Sequence, residues 1–445
     1  MTWRDALLAR PSLSIVLIAL GLRLSTTLLI LIIHRVFPSF DASATRLSTP
    51  LNPDYQGFVR WDTVYFLEIA NNGYTQEQRL AFFPGLPGLL RVGGELVRWA
   101  SRGDGITLEA MVFAGMISTT LATTLAAPLL YQLTFKLSSS RQHSLVTTIL
   151  FLLGPARAVL HAVPYTEPFS ALFTFAGMLS FSHHADFVSS LCFAFATLFR
   201  AQGAVLGLGF FGWRYILERP FRANRLSLKV LLRGVVVTMV LSLISASPFF
   251  AFQAYAYREY CSDPTSLRPW CTSTFGFSYE WIQSHYWDVG PFRYWTLQQL
   301  PNFFLATPLL FLSFSASYTY YSSQPSLVLS KTFPFIFSSP KPSSSVPNRS
   351  RRPVLSLELL PFIHLHTATT LLLLISSHVQ IILRLCIVNP VVWWYASDLV
   401  LSNQTQGDED GDWRKRKRWG ERWVKYCIVW GTLSVVCWAL FLPPA

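Results

Sequence analysis

The chain has 445 residues and a net charge of +13, yet only 13% of its residues are charged and 51% are hydrophobic. Soluble domains carry about 25% charged residues, so this composition excludes an ordinary soluble enzyme and names lipid as the main solvent. The basic excess falls in short clusters between apolar runs, which argues against nucleic-acid binding and for positive charge gathered at one membrane face.

In chain order, the apolar run at 12–34 has the length of a bilayer crossing, and no small-residue cleavage site follows it. It reads as an uncleaved signal anchor. Further spans are predicted near 110–133, 144–162, 168–183, 230–254, 302–321, 355–377 and 424–442, with a weaker one at 390–402. Residues 185–217 form an apolar block broken at Arg200, which we divide into two short helices. The fold class expected is an all-α polytopic membrane protein with about eleven transmembrane helices. Three regions follow: an N-terminal membrane module (1–321), a Ser/Pro-rich flexible linker (322–353) and C-terminal membrane helices (354–445).

Three basic clusters set the orientation. Arg214, Arg219, Arg222, Arg225 and Lys229 crowd one loop, and 322–353 carries Lys331, Lys341, Arg349, Arg351 and Arg352 without an acid. Arg414 to Arg418 form a basic run at the end of a polar loop that starts at Asp408. All three are expected to be cytosolic. Parity then requires the 185–217 block to cross twice, which puts 35–108 and 255–300 in the lumen. The sequons at Asn348 and Asn403 fall on the cytosolic side and are expected to be unused.

Among six cysteines, only Cys261 and Cys271 share a polar loop, where either a disulfide or two free thiols would fit. No metal-ligand spacing, paired-carboxylate motif or nucleotide loop appears, so neither a metal nor a cofactor is expected. The loop 255–300 is rich in aromatics and is expected to lie along the membrane interface, as a substrate groove or as an anchoring belt.

The segment that carries chemistry is FVRWDTVYFLEIANNGY (58–74), followed by LAFFPGLPGLL (80–90). Read as a helix, it sets Asp62 on one face with Phe58, Tyr65, Phe66 and Ile69. A carboxylate on an apolar stripe is costly unless paired or used. Desolvation would raise its pKa, which suits a general base; pairing with Arg60 or capping a helix start is the alternative. Asn71-Asn72-Gly73 should end the helix, Phe83-Pro84-Gly85 should form a turn, and Glu68 reads as structural.

These segments resemble the GPI mannosyltransferase 2 family. The RWD-x-x-YFL-x-IA-x-x-GY and FFPG-x-P elements are both present, and further matches follow at AVPYTEPFSALFTFAG (162–177), LFRAQG (198–203), 269–308 and 360–397. The sequence departs from the family pattern at Gln202, at Pro291 and after Cys271.

The resemblance implies a GT-C type fold with lumenal interfacial helices in the endoplasmic reticulum membrane. It further implies transfer of mannose from dolichyl-phosphate-mannose to the first mannose of a GPI precursor, in α-1,6 linkage with inversion. It makes Asp62 the base and puts Arg60, Trp61, Asn71 and Tyr74 at the substrate. Arg200, Arg293, His378 and Arg384 become possible partners of the leaving phosphate, and for Arg200 an internal ion pair fits equally. Glu167 either caps the helix that opens at Pro168 or positions substrate groups. Gln283, Tyr286 and Trp287 are the expected sugar contacts. The partners implied are the lipid-linked donor, the GPI glycolipid and membrane lipid, and a small membrane-anchored accessory subunit stays open. Two rival readings are another dolichol-phosphate-sugar transferase and a lipid or solute transporter.

Overall fold

A computed structural model describes residues 9–40, 47, 49–222, 227–265, 267–334, 336–337, 353–403 and 412–442. No strand occurs among them. In chain order the helices are α1 (Pro11–Val36), α2 (Asp62–Asn72), α3 (Gly85–Ser101), α4 (Leu108–Ser138), α5 (Arg141–Leu152), α6 (Glu167–Ser182), α7 (Asp186–Phe199) and α8 (Gln202–Gly212). They continue with α9 (Leu228–Cys261), α10 (Ser278–Trp287), α11 (Leu300–Ser323), α12 (Pro325–Thr332), α13 (Leu360–Ser376), α14 (Pro390–Val400) and α15 (Asp412–Ala439).

Among the described residues, α1, α4, α9, α11 and α13 are long and apolar enough to cross a bilayer, the last two with their leading turns. The other expected spans coincide with helices that are shorter or carry charge. The span at 144–162 is interrupted after α5, because Gly154-Pro155 ends the helix before Arg157–His161 begins another. Arg200 divides 185–217 as expected: its extended backbone (φ −151°, ψ 135°) caps α7, and α8 starts at Gln202. Helix α12 occupies the start of the 322–353 segment; Lys341, Asn348, Arg349, Arg351 and Arg352 lie outside the described residues.

Two of the basic clusters are helical rather than loops. Past α8 the chain continues through a π-helical turn (Trp213–Glu218), which turns Arg214 inward until it is 3% exposed. There Arg214 pairs with Asp186 and lies 3.5 Å over the Phe181 ring, while the Tyr215 hydroxyl donates to the same carboxylate at 2.7 Å. This buried charge set ties α8 to the turn between α6 and α7; Arg225 is outside the described residues. Arg414 to Arg418 open α15, where Arg416 pairs with buried Asp398 at 2.5 Å. A helix amid lipid satisfies its own backbone, which favours extending it over leaving a loop.

At the opposite end of α6 and α7, the segment 255–300 packs onto the loop that holds α2. Leu80, Phe83, Phe252, Trp270 and Ile282 form a separate apolar core. Buried Glu77 accepts from the Trp270 indole and from the Tyr286 hydroxyl, and the Tyr260 hydroxyl donates to the Tyr74 carbonyl at 2.5 Å. Cys261 and Cys271 form a disulfide with Cα atoms 5.6 Å apart. Closing so short a loop removes about 3 kcal/mol of unfolded-chain entropy. The double variant Cys261→Ser/Cys271→Ser should therefore lower Tm and speed proteolysis within 262–277, as limited digestion would read out. Unchanged digestion would mean that the aromatic core holds this segment alone.

Phe83-Pro84-Gly85 is not a free turn but the start of α3. A Cβ on Gly85 would meet the Leu198 carbonyl oxygen at 2.5 Å, so this residue has to be glycine for α3 to reach α7. Helix α3 leaves Val92, Leu96 and Trp99 exposed along one edge, the pattern of a helix lying in a membrane interface.

Candidate active site

Helix α2 begins at Asp62 itself, so Phe58 precedes the helix and only Tyr65, Phe66 and Ile69 follow along it. Its cap, Trp61, has φ +52°, a left-handed backbone costing a non-glycine residue roughly 1–3 kcal/mol. That reversal sends the two neighbours of Trp61 in different directions. Arg60 turns inward to His34, Ser39 and the Ala439 carbonyl, whereas Asp62 opens onto a cavity. The expected Asp62–Arg60 pair does not form.

Asp62 is instead held by residues far along the chain. The Tyr165 hydroxyl donates to Oδ2 at 2.7 Å and Arg384 Nη1 donates to the same oxygen at 2.8 Å. Arg384 Nη1 also donates to the Tyr165 oxygen at 2.6 Å, which closes a triangle. Oδ1 accepts no hydrogen bond from any described residue, and 33% of the Asp62 side chain is exposed. Glu167, fully buried at the first residue of α6, lies 3.6 Å from Arg384 Nε and 2.6 Å from Arg200 Nη1. Its carboxylate therefore bridges two arginines instead of capping α6. Two acids and two arginines thus alternate along one wall: Asp62, Arg384, Glu167, Arg200.

This arrangement reverses the expected pKa. Burial pushes the Asp62 carboxyl up, but the Arg384 guanidinium, the hydrogen bonds from Arg384 and Tyr165, and the charge of Arg200 outweigh it and hold the group below its ordinary value. Asp62 is ionised at neutral pH, with one oxygen fixed and one free. Arg384 is correspondingly held charged: burial alone would lower its pKa, and Tyr165, Asp62 and Glu167 raise it.

The cavity has a volume of about 750 Å³, room for a sugar and part of a lipid chain. Of the sequence-predicted residues, Trp61, Asp62, Arg200, Gln283, Trp287, His378 and Arg384 line it; Glu167 stands behind the two arginines. His378 is not within a helix: it precedes a short turn, donates Nε2–H to the Trp287 carbonyl at 2.6 Å and stacks on Tyr294. Arg60, Asn71, Tyr74, Tyr286 and Arg293 do not line the cavity. Tyr74 donates to the Phe82 carbonyl at 2.9 Å and Asn71 to Asn72 at 3.2 Å, and Arg293 is exposed beside Ser284 and Asp288. Glu68 is buried against Arg79 and Asn72, which fits its structural reading.

Tyr165 also lines the cavity and was passed over in the sequence reading, whereas Gln202, another lining residue, was marked there only as a departure from the family pattern. Tyr165 lies within the same YTE triplet as Glu167, so the segment was marked, but a tyrosine in an apolar stretch has no pattern of its own. Within the cavity wall the Trp61 and Trp287 indole nitrogens and the Gln202 amide oxygen are buried and have no hydrogen-bond partner among the described residues. No cluster of three or more metal-ligating side chains occurs among the described residues.

An all-helical membrane protein that sets an ionised carboxylate and two arginines around a sugar-sized cavity has the make-up of a membrane-embedded glycosyltransferase. Residues 13–445 match the family described as Mannosyltransferase (PIG-V). The GPI mannosyltransferase 2 of Cryptococcus neoformans var. neoformans serotype D (strain JEC21) is 33% identical over 427 residues, 93% of this chain and 94% of its own length. The GPI alpha-1,6-mannosyltransferase 2 of Cricetulus griseus is 32% identical over 87% of this chain and 83% of its own. The human protein of that name is 32% identical over 77% and 73%. The chain belongs to the mannosyltransferase (PIG-V) family and is a glycosyltransferase. Among solved structures, the archaeal oligosaccharyltransferase AglB of Archaeoglobus fulgidus, in complex with an inhibitory peptide and a dolichol-phosphate, aligns with a TM-score of 0.46 and 12% identity; the match covers 95% of this chain and 56% of AglB.

Proposed function

We propose that this chain transfers mannose from dolichyl-phosphate-mannose to the first mannose of a GPI precursor, in α-1,6 linkage, at the lumenal face of the endoplasmic reticulum membrane within a GT-C type fold. The observation that carries this reading is Asp62, ionised, with Oδ2 fixed by Arg384 and Tyr165 and Oδ1 open to the cavity. The acceptor 6-hydroxyl attacks the anomeric carbon of the donor as its bond to the phosphate oxygen breaks. The hydroxyl proton passes to Asp62 Oδ1, and the bonding electrons leave with the dolichyl phosphate. A single displacement turns a β-linked donor into an α-linked product, so one base suffices and no covalent intermediate or cofactor enters the step. A base held below the ordinary carboxylate range works late, once the anomeric carbon has become cationic and the attacking hydroxyl acidic.

Arg200, charged and 19% exposed, faces the growing phosphate charge, and Glu167 keeps it oriented until that charge appears. The relatives that bear the GPI alpha-1,6-mannosyltransferase name support the acceptor and the linkage.

Two experiments test this reading. In cells lacking the endogenous activity, the chain should convert a one-mannose GPI precursor into the two-mannose form; continued accumulation of the one-mannose species would contradict it. Artificial sequons inserted near residues 45 and 265 should be glycosylated and one near 340 should not. The opposite pattern would put the cavity on the cytosolic side.

A further inference from the structure

Helix α3 presents two edges of different chemistry. Arg91, Arg98 and Arg102, spaced i, i+7 and i+11, fall within about 40° of one another around its axis. Val92, Leu96 and Trp99 form the neighbouring exposed edge, roughly 100° further round. The remaining flank, with Leu86, Leu90 and Gly94, is buried. A helix so built lies flat at a bilayer surface, its apolar edge among acyl chains and its cationic edge at headgroup level.

The protein answers only part of this charge. Glu95 shares the cationic edge and pairs with Arg98 at 2.8 Å. Arg91 and Arg102 are exposed and meet no acid among the described residues. Arg102 ends α3 with φ +55°, a left-handed backbone that glycine adopts freely and arginine does not. Its side chain makes no capping contact, so charge is what this position offers.

One contact fixes the cationic edge relative to the catalytic carboxylate. Arg91 Nη1 donates to the Asn71 carbonyl at 3.4 Å. Asp62 opens α2 and Asn71 stands nine residues further along it, about 14 Å at a rise of 1.5 Å per residue. Helix α2 is therefore a rigid spacer, with the base at one end and the cationic edge at the other.

The acceptor has a matching layout. A GPI precursor carries its glycan on phosphatidylinositol, and the mannose, glucosamine and inositol rings lie between the reacting hydroxyl and the phosphodiester. With that hydroxyl at Asp62 Oδ1, the three rings extended along α2 bring the phosphodiester to the far end of the helix.

We propose that Arg91, Arg98 and Arg102 bind the phosphodiester of the acceptor, and that Val92, Leu96 and Trp99 receive its acyl chains. This rests on the function proposed above. Charge complementarity and the spacing along α2 assign the edge to the acceptor. The donor phosphate adjoins the anomeric carbon, so it cannot lie at Arg91 while that carbon faces Asp62.

The test uses the full purified chain in nanodiscs of neutral phosphatidylcholine, with dolichyl-phosphate-mannose and two acceptors. One is the one-mannose GPI glycolipid; the other carries the same glycan on a neutral alkyl chain without phosphate. Arg91→Gln with Arg102→Gly should raise KM for the phosphate-bearing acceptor about tenfold. KM for the phosphate-free acceptor and for the donor should stay within about twofold of the wild type. Glycine relieves the backbone at 102, and a protein that merely folds poorly would lower turnover of both acceptors alike. Arg91→Lys with Arg102→Lys should recover part of the affinity. Arg258→Gln with Arg268→Gln removes the same charge from the segment 255–300 and should leave both acceptor KM values alone. An equal rise in that control would assign the effect to general surface charge and overturn the proposal. So would a KM in the Arg91/Arg102 variant that shifts equally for both acceptors, or for neither. Failure of the unsubstituted chain to use either acceptor would instead overturn the proposed function, and this site with it.

Discussion

Asp62→Asn is expected to lower kcat by about a thousandfold, roughly 4 kcal/mol of transition-state stabilisation, with little change in either KM. Asparagine keeps the shape of the side chain, and its carbonyl oxygen can still accept from Tyr165 and Arg384, so the wall of the cavity stays standing. What disappears is the free basic oxygen. The effect belongs in kcat because the acceptor hydroxyl gives up its proton only as the displacement proceeds. Steady-state rates with both lipid substrates would measure it, and retention of more than a tenth of the rate would remove Asp62 from the role of base.

Arg384→Gln should cost about a hundredfold in kcat/KM and should move the pH profile as well. In the wild type the Asp62 carboxyl is depressed, so the active, ionised form persists as pH falls and is lost only below the usual carboxylate range. Removing the guanidinium leaves burial as the largest influence on that carboxyl, and burial favours the neutral acid. The acid limb of kcat/KM should therefore shift upward. Arg384→Lys should restore part of the loss, since a charge remains without the two-pronged geometry. An acid limb that does not move in Arg384→Gln would mean that Asp62 is not the group titrating. A merely destabilised protein would lose activity evenly across pH.

Much of the architecture was legible in the sequence because lipid imposes simple rules. Long apolar runs became α1, α4, α9, α11 and α13, and the costly arginine in an apolar block marked the break between α7 and α8. Hydropathy failed where a short feature overrides it: Gly154-Pro155 cuts one predicted span, and the π-turn at Trp213–Glu218 folds Arg214 inward from what read as a basic loop.

The site was legible only in part. The RWD triplet singled out Asp62, which lines the cavity, but adjacency offered Arg60 as its partner. The partner is Arg384, 322 residues away, and no local pattern shows that the left-handed backbone at Trp61 parts Arg60 from Asp62. The expected direction of the Asp62 pKa failed for the same reason, since burial can be read from neighbours along the helix whereas a distant guanidinium cannot. Glu167 looked like a helix cap because it precedes Pro168; tertiary packing of α6 against the α7–α8 junction makes it the link between two arginines instead.

One measurement bears most directly on the whole account: transfer catalysed by the purified chain, given dolichyl-phosphate-mannose and a one-mannose GPI glycolipid, with the product linkage read by linkage-specific mannosidase digestion and NMR. The account predicts a single added mannose in α-1,6 linkage, formed by the unsubstituted chain and lost in Asp62→Asn. A β-linked product, or full transfer by the Asp62→Asn protein, would contradict it.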